Sequence, residues 1–195
     1  LGFTVSSLGG GMAAWTGAWN TAEVVLPARA RVHIIQVRRI GKGCLSYIVG
    51  SDAQAAVIDP AVDPAVYIAL AKERGWTITA VLDTHVHADH VTRAYDLAAR
   101  CDATWYLPRQ QRVRRPHTPL DDSATVAVGS TVLRAVRTPG HTHESTCYVV
   151  DAVAVCSGDT LFIDTVGRPD LAAAQADEPR QRAQALFRSL HEQLV

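Results

Sequence analysis

Short apolar runs, broken by glycine, proline and acidic residues, punctuate most of the chain. Residues 32–37, 44–49, 55–59 and 78–83 are brief and rich in β-branched side chains, and they read as strands. Between the third and fourth, Asp63 can cap a helix with Pro64 at its first position, and Gly75 closes it. A second helix is predicted over 89–100 and a further strand over 103–107. Residues 125–128 and 131–138 form a predicted hairpin that turns at Gly129-Ser130. A second hairpin joins 145–150 to 153–156 through Asp151-Ala152. In the tail from 178 to 195, Ala183, Leu186, Phe187, Leu190 and Leu194 recur at helical spacing and are predicted to face the core. Mostly antiparallel strands alternating with single helices predict an α+β sandwich, two stacked sheets with helices outside.

Residues 1–26 differ from the rest. Residues 3–5 read as a short strand, 8–11 as a tight Gly-rich turn, and 12–19 as a short helix carrying Trp15 and Trp19. Residues 27–31 read as a linker, so the expected organisation is a separate N-terminal piece (1–26), a linker, and one main domain over 32–195. The chain starts at Leu1 without a Met and ends within a helical pattern, so it is expected to belong to a longer polypeptide.

Composition narrows the function classes. With 48% hydrophobic and 19% charged residues the chain is ordinary for a globular protein, and its formal net charge is zero. No basic stripe argues for nucleic acid, and no apolar run is long enough to span a bilayer. No signal peptide is visible, and a cytoplasmic location is expected. Cys44, Cys101, Cys147 and Cys156 are scattered without a CxxC pair and read as reduced thiols. The loop over 108–123 carries Arg109, Arg112, Arg114 and Arg115, which suit a solvated face or an anionic substrate.

The chemistry concentrates in Thr84-His85-Val86-His87-Ala88-Asp89-His90, directly after a predicted buried strand. Unpaired polar groups gain nothing from burial there, whereas imidazoles and a carboxylate are usual ligands of a metal ion. Two more polar residues follow strands: His141 in Thr138-Pro139-Gly140-His141-Thr142, and Asp159 in Ser157-Gly158-Asp159-Thr160-Leu161-Phe162. Loops at one edge of a sandwich lie close together, so the three stretches are expected to converge.

In order and spacing these stretches resemble the metallo-β-lactamase superfamily over roughly residues 32–195. The resemblance implies an αββα sandwich whose last strand and a further histidine lie beyond Val195. Residues 83–92, the GDTLF stretch followed by Gly167-Arg168-Pro169-Asp170-Leu171, and Leu186-Phe187 with Leu190-His191-Glu192 are similar to the persulfide dioxygenase branch. The Gly-Arg-Pro-Asp-Leu run is typical of members joined to rhodanese domains. Gly2-Phe3, Val5, Leu8, Gly10-Gly11-Met12 and Ala14-Trp15 resemble the last strand and helix of a rhodanese.

The resemblance implies one Fe(II) held by His85, His141 and Asp159. His87, Asp89 and His90 would orient these ligands or hold water, and no protein nucleophile would be needed. Glutathione persulfide, or a similar thiol persulfide, would be oxidised by dioxygen to sulfite. A rhodanese domain in the same chain would donate sulfane sulfur. Arg168 and Asp170 would meet the substrate's carboxylates or form a structural salt bridge. Self-association as a homodimer is left open. The alternative is a glyoxalase II-like thioester hydrolase with one or two Zn(II). There His85, His87, His141 and Asp159 hold one ion, while Asp89, His90, Asp159 and a further histidine hold a second. A third reading is a metal-degenerate persulfide-binding or sulfur-transfer module. Departures from the family pattern are His143 where a proline is usual, a bulkier turn over 91–95, and an altered loop over 162–166.

Overall fold

The computed structural model describes residues 2–170 and 178–194. Helix α1 (Gly11–Gly17) precedes strands β1 (Trp19–Glu23), β2 (His33–Arg39), β3 (Cys44–Ser51) and β4 (Gln54–Ile58). Helix α2 (Pro64–Glu73), β5 (Thr77–Leu82), α3 (Ala94–Cys101), β6 (Thr104–Pro108) and β7 (Thr118–Leu120) follow. These strands make one seven-stranded sheet in sequence order, antiparallel from β1 to β4 and parallel from β4 to β7. Strands β8 (Thr125–Val128), β9 (Thr131–Arg137), β10 (Thr146–Val150) and β11 (Ala154–Cys156) form a second, antiparallel sheet. The tail carries α4 (Glu178–Arg188), which continues as a wider π-helical turn over Ser189–Gln193.

Alternation along each strand builds two cores from one sheet. Val49, Ile58 and Leu82 face Leu133, Tyr148 and Val150 between the sheets. Their immediate neighbours Ile48, Val57 and Val81 point the other way and are covered by Tyr67 of α2 and Leu97 of α3. Strand β4 is therefore buried on both faces, as parallel neighbours require. Its loop is pinned by the Tyr67 hydroxyl, which donates to Ser46 Oγ (2.8 Å) and accepts from the Ala61 N–H (2.9 Å). The expected sandwich, the cap at Asp63 and both hairpins are present.

Several local expectations need correction. Residues 3–5 form no strand, and the N-terminal helix ends at Gly17. Trp19–Glu23 instead pairs with β2, Trp19 opposite Arg39 and Glu23 opposite Ile35, because an open sheet edge satisfies its backbone. The expected boundary after residue 26 thus falls inside a β-hairpin. Helix α3 starts at Ala94 rather than Asp89, because the Thr92 hydroxyl accepts the Ala94 N–H and donates to Asp83. The loop over 108–123 contains β7, which continues the parallel ladder. In α4 only Leu186 is buried; Ala183 and Phe187 are exposed, and Leu190 and Leu194 are half-buried. Phe187 stacks on His191 (ring centroids 4.2 Å apart) instead of entering the core. Val195 lies outside the described residues.

Leu186 sits on Gly140, whose φ of 150° suits glycine and where a Cβ would run into the Leu186 backbone. The Ser189 hydroxyl donates to the Pro139 carbonyl beside it (2.8 Å). Gly140→Ala should therefore destabilise the protein by about 1–3 kcal/mol, through overpacking and backbone strain. Urea unfolding checks this; an unchanged midpoint would mean that α4 does not press on this turn.

Candidate metal centre

Parallel register brings the carboxyl ends of β4 and β5 side by side, Ile58 opposite Leu82. The next residues are Asp59, Asp83 and Thr84, all buried. Asp59 has a left-handed φ of 50° and is held there by its N–H bond to the Leu82 carbonyl (2.8 Å). Its carboxylate accepts from the Thr84 N–H (2.7 Å), the Thr84 hydroxyl (2.8 Å) and His87 Nε2 (3.1 Å). No local motif in the sequence marks Asp59. The only signal is a charged residue closing an all-apolar strand before Pro60.

Because the Thr84 hydroxyl proton goes to Asp59, its oxygen accepts from His85 Nδ1–H (2.9 Å). That bond leaves the Nε2 lone pair of His85 for an ion. His141 is fixed in the same way, Nδ1 donating to the Arg168 carbonyl (3.1 Å), while its Nε2 lies 3.5 Å from Asp159 Oδ2. Gly167 makes this possible: a Cβ there would collide with the Asp159 carbonyl and His141. Gly158 has a φ of 48° and lets the Asp159 turn close against Thr84. One ligand atom each from His85, His141 and Asp159 lies within 4.8 Å of the others, so the three can hold one metal ion. His85 and His141 are buried, and Asp159 is partly open to solvent. Burial, with His87 alongside, holds His85 down to about 3, the neutral form that a ligand needs. Burial, reinforced by Asp59 and Asp89, pushes Asp159 up.

The remaining expected residues fall into two other groups. The His87 ring packs 4.2 Å from that of His85, but its Nε2 points to Asp59 (3.1 Å) and Asp83 (3.5 Å). Burial opposes charge on His87, but the two carboxylates win and raise it to about 11. Asp83 is in turn held by Thr92 (2.7 Å) and Trp105 Nε1 (2.9 Å). Asp89 pairs with His90 Nδ1 (2.8 Å) and gathers with Cys44. Arg168 and Asp170 form an exposed ion pair with each other (2.7 Å), and it is the Arg168 carbonyl that reaches His141. Leu171 lies outside the described residues. His143 is exposed, 3.4 Å from Glu178.

Two cavities meet at Asp89 and Asp159. The larger, about 700 Å³, has an apolar wall including Leu45, Tyr47 and Phe162. The other, about 490 Å³, is lined by Arg109, Arg112 and Arg137 beside His85 and His141. Arg112 is bonded to the buried Glu144, which also accepts the Val86 N–H (3.0 Å) between the first two histidines. Arg109 is paired with Asp121, and Arg115 lies over Tyr95.

Asp59→Asn should cost about 3–5 kcal/mol, because it breaks a buried charge pair. His87 offsets the burial penalty on Asp59 and lowers its pKa, so the carboxylate's contribution is complete above 3.8 and lost as pH falls through its folded value. His87 is raised, so its contribution is complete below 6.5 and declines as pH rises towards about 11. Urea midpoints of both proteins at roughly pH 5, 7 and 9 should show the gap narrowing towards pH 9. A pH-independent gap would contradict the assignment.

The sequence model of the metallo-beta-lactamase superfamily matches residues 39–195. A hydroxyacylglutathione hydrolase of Rhodopseudomonas palustris (strain BisA53) is 37% identical over 129 residues, covering 65% of this chain and 50% of the relative. The chain spans about half the length of the curated relatives that it matches first. Among solved structures, a metallo-beta-lactamase from Staphylococcus aureus subsp. aureus COL superposes with a TM-score of 0.76 at 26% identity, over 83% of this chain and 52% of the other. ETHE1 from Myxococcus xanthus gives 0.69 at 28% identity, over 87% and 69%. A match over most of the chain, with the donor residues converging in the corresponding fold, places this protein in the metallo-β-lactamase superfamily.

Proposed function

We propose that the domain is a non-haem iron persulfide dioxygenase, acting on glutathione persulfide or a similar thiol persulfide. The observation that carries this reading is the split of the polar cluster. His85, His141 and Asp159 converge as a two-histidine, one-carboxylate face, while His87 is engaged by Asp59 and Asp83. Such a face suits ferrous iron, which when bound supplies neighbouring open positions for a sulfur anion and dioxygen. One persulfide, one dioxygen and one water give the thiol, sulfite and two protons. In this reading the chain's own groups hold and orient. Thr84 and the Arg168 carbonyl fix the imidazoles, and the arginines of the smaller cavity receive the carboxylates of a peptide thiol. A rhodanese-type sulfane-sulfur donor belongs to this reading on the sequence pattern from Gly2 to Trp15 alone, since residues 3–5 form no strand.

A second reading, thioester hydrolysis of the glyoxalase II type, is favoured by the hydroxyacylglutathione hydrolases among the relatives and by Asp89 and His90 lying beside the first donor set. Both readings use a glutathione-type thiol and differ in metal and co-substrate. Removing a partner behind a ligand costs about 10–100-fold in metal affinity, so removing a ligand costs more. His141→Ala and Asp159→Ala should each abolish most iron binding, whereas His90→Ala should keep iron; metal analysis after dialysis decides. Full retention of iron by His141→Ala would overturn the ligand set. Iron-loaded full-length protein should consume oxygen in the presence of glutathione persulfide and release sulfite. Silence in that assay, with lactoylglutathione hydrolysis after zinc loading, would transfer the protein to the hydrolases. Silence in both would favour the persulfide-binding module.

A further inference from the structure

We propose that Glu144 is a positioning residue that couples an anion-binding guanidinium, Arg112, to His85 of the metal face. The inference rests on the reading above in one respect. It takes from it that the smaller cavity receives a carboxylate of a glutathione-type thiol, which dioxygenase and hydrolase would share. Three observations lead to it. The first is a backbone clamp. The Thr146 N–H donates to the Thr84 carbonyl (2.9 Å), and the Val86 N–H donates to Glu144 Oε1 (3.0 Å). The segment that follows His141 thus grips the metal loop on both sides of His85.

The second is how Glu144 is held. It is buried, and a buried carboxylate keeps its charge only beside a partner that offsets it. That partner is the Arg112 guanidinium, whose Nη2 donates to Glu144 Oε1. Oε1 is also the oxygen that accepts from Val86, so a single atom joins the guanidinium to the metal loop. Any change in where Arg112 sits is therefore felt directly at the residue after His85.

Arg112 supplies the third. Its side chain is 55% exposed and lines the smaller cavity with His85 and His141. Apart from Nη2, its guanidinium nitrogens have no hydrogen-bond partner among the described residues. Arg109, by contrast, is held at Nε and Nη2 by Asp121, and Arg137 leans on the His143 carbonyl (3.2 Å). The stem of Arg112 is fixed, because Gln110 Oε1 accepts both the Arg112 N–H (2.6 Å) and the Val113 N–H (2.7 Å). A planar guanidinium holds one carboxylate on one edge and a second on another. A carboxylate arriving in the cavity would order Arg112, steady Glu144 and Val86, and so fix His85. Anion and metal then each bind more tightly in the presence of the other, by the same factor.

The test uses γ-glutamyl-alanyl-glycine, which keeps the carboxylates of glutathione and has no sulfur to touch a metal. Calorimetry on the full-length protein measures zinc affinity with and without this tripeptide, and tripeptide affinity with and without zinc. Wild type should show a gain of about 5-fold or more, equal in both directions. Glu144→Gln keeps an oxygen for the Val86 N–H and releases Arg112. It should bind the tripeptide at least as tightly as wild type, yet bring the gain close to one. A residue that only supported the fold would weaken both affinities and leave their ratio unchanged. Absence of the gain from wild type, or its survival in Glu144→Gln, would overturn the proposal. Should Glu144→Gln fail to fold, Arg112→Lys decides. It leaves a cation beside Glu144 but removes the fork that holds two carboxylates, so most of the gain should go, and full retention refutes the coupling. Failure of wild type to bind the tripeptide also overturns the inference. Oxygen uptake with glutathione persulfide on that same sample would then leave the dioxygenase reading standing, so the two proposals fail separately.

Discussion

The carboxylate of Asp59 is the group on which the metal face depends. It is 6% exposed, at the end of a strand buried on both sides, and takes three hydrogen bonds from Thr84 and His87. A buried charge without partners would be too costly to keep, so Asp59 dictates the positions of the groups around it. It takes the Thr84 hydroxyl proton, and that choice sets the tautomer of His85. It also engages His87 Nε2, although the His87 ring stays 4.2 Å from that of His85. A single strand-end carboxylate thus separates one histidine that can hold an ion from another that serves the scaffold.

The fold supplies this arrangement through its parallel half. Strands β4 and β5 end together, and the second sheet delivers His141 and Asp159 to the same edge from β9 and β11. Tyr148 joins the two layers there, its hydroxyl donating to the Asp83 carbonyl (2.8 Å). Glycines act where chains must nearly touch. Gly167 admits the segment whose carbonyl orients His141, and Gly158 admits the turn that carries Asp159.

The strands other than β1 and β7, both hairpins, the α2 cap and the three converging donors are legible in the sequence, because each is written in local periodicity or in a run of polar residues. What escaped was set by partners distant in the chain. Asp59 looks like a strand terminator until the register with β5 is known. Trp19–Glu23 has too weak an alternation to announce a strand, and only the open edge of β2 makes it one. Phe187 keeps helical spacing yet lies outside the narrow stripe that meets Gly140. The Arg168-Pro169-Asp170 run suggests a role for its charged side chains, whereas it is the Arg168 carbonyl that touches the site.

The two walls of the site are anchored unequally, and that difference bears on how such a domain can diversify. The arginine wall is wired to the metal loop through Arg112, Glu144 and the Val86 N–H, so a change there is felt between the first two histidines. The apolar wall over 161–166 is held mainly by its own short turn, with Ile163 99% exposed. Mutational drift can therefore remodel the apolar side while leaving the donor geometry intact, whereas the cationic side must change in concert with its tether. Inherited variety in substrate shape should accumulate on the first wall, and inherited constancy of the anionic handle on the second.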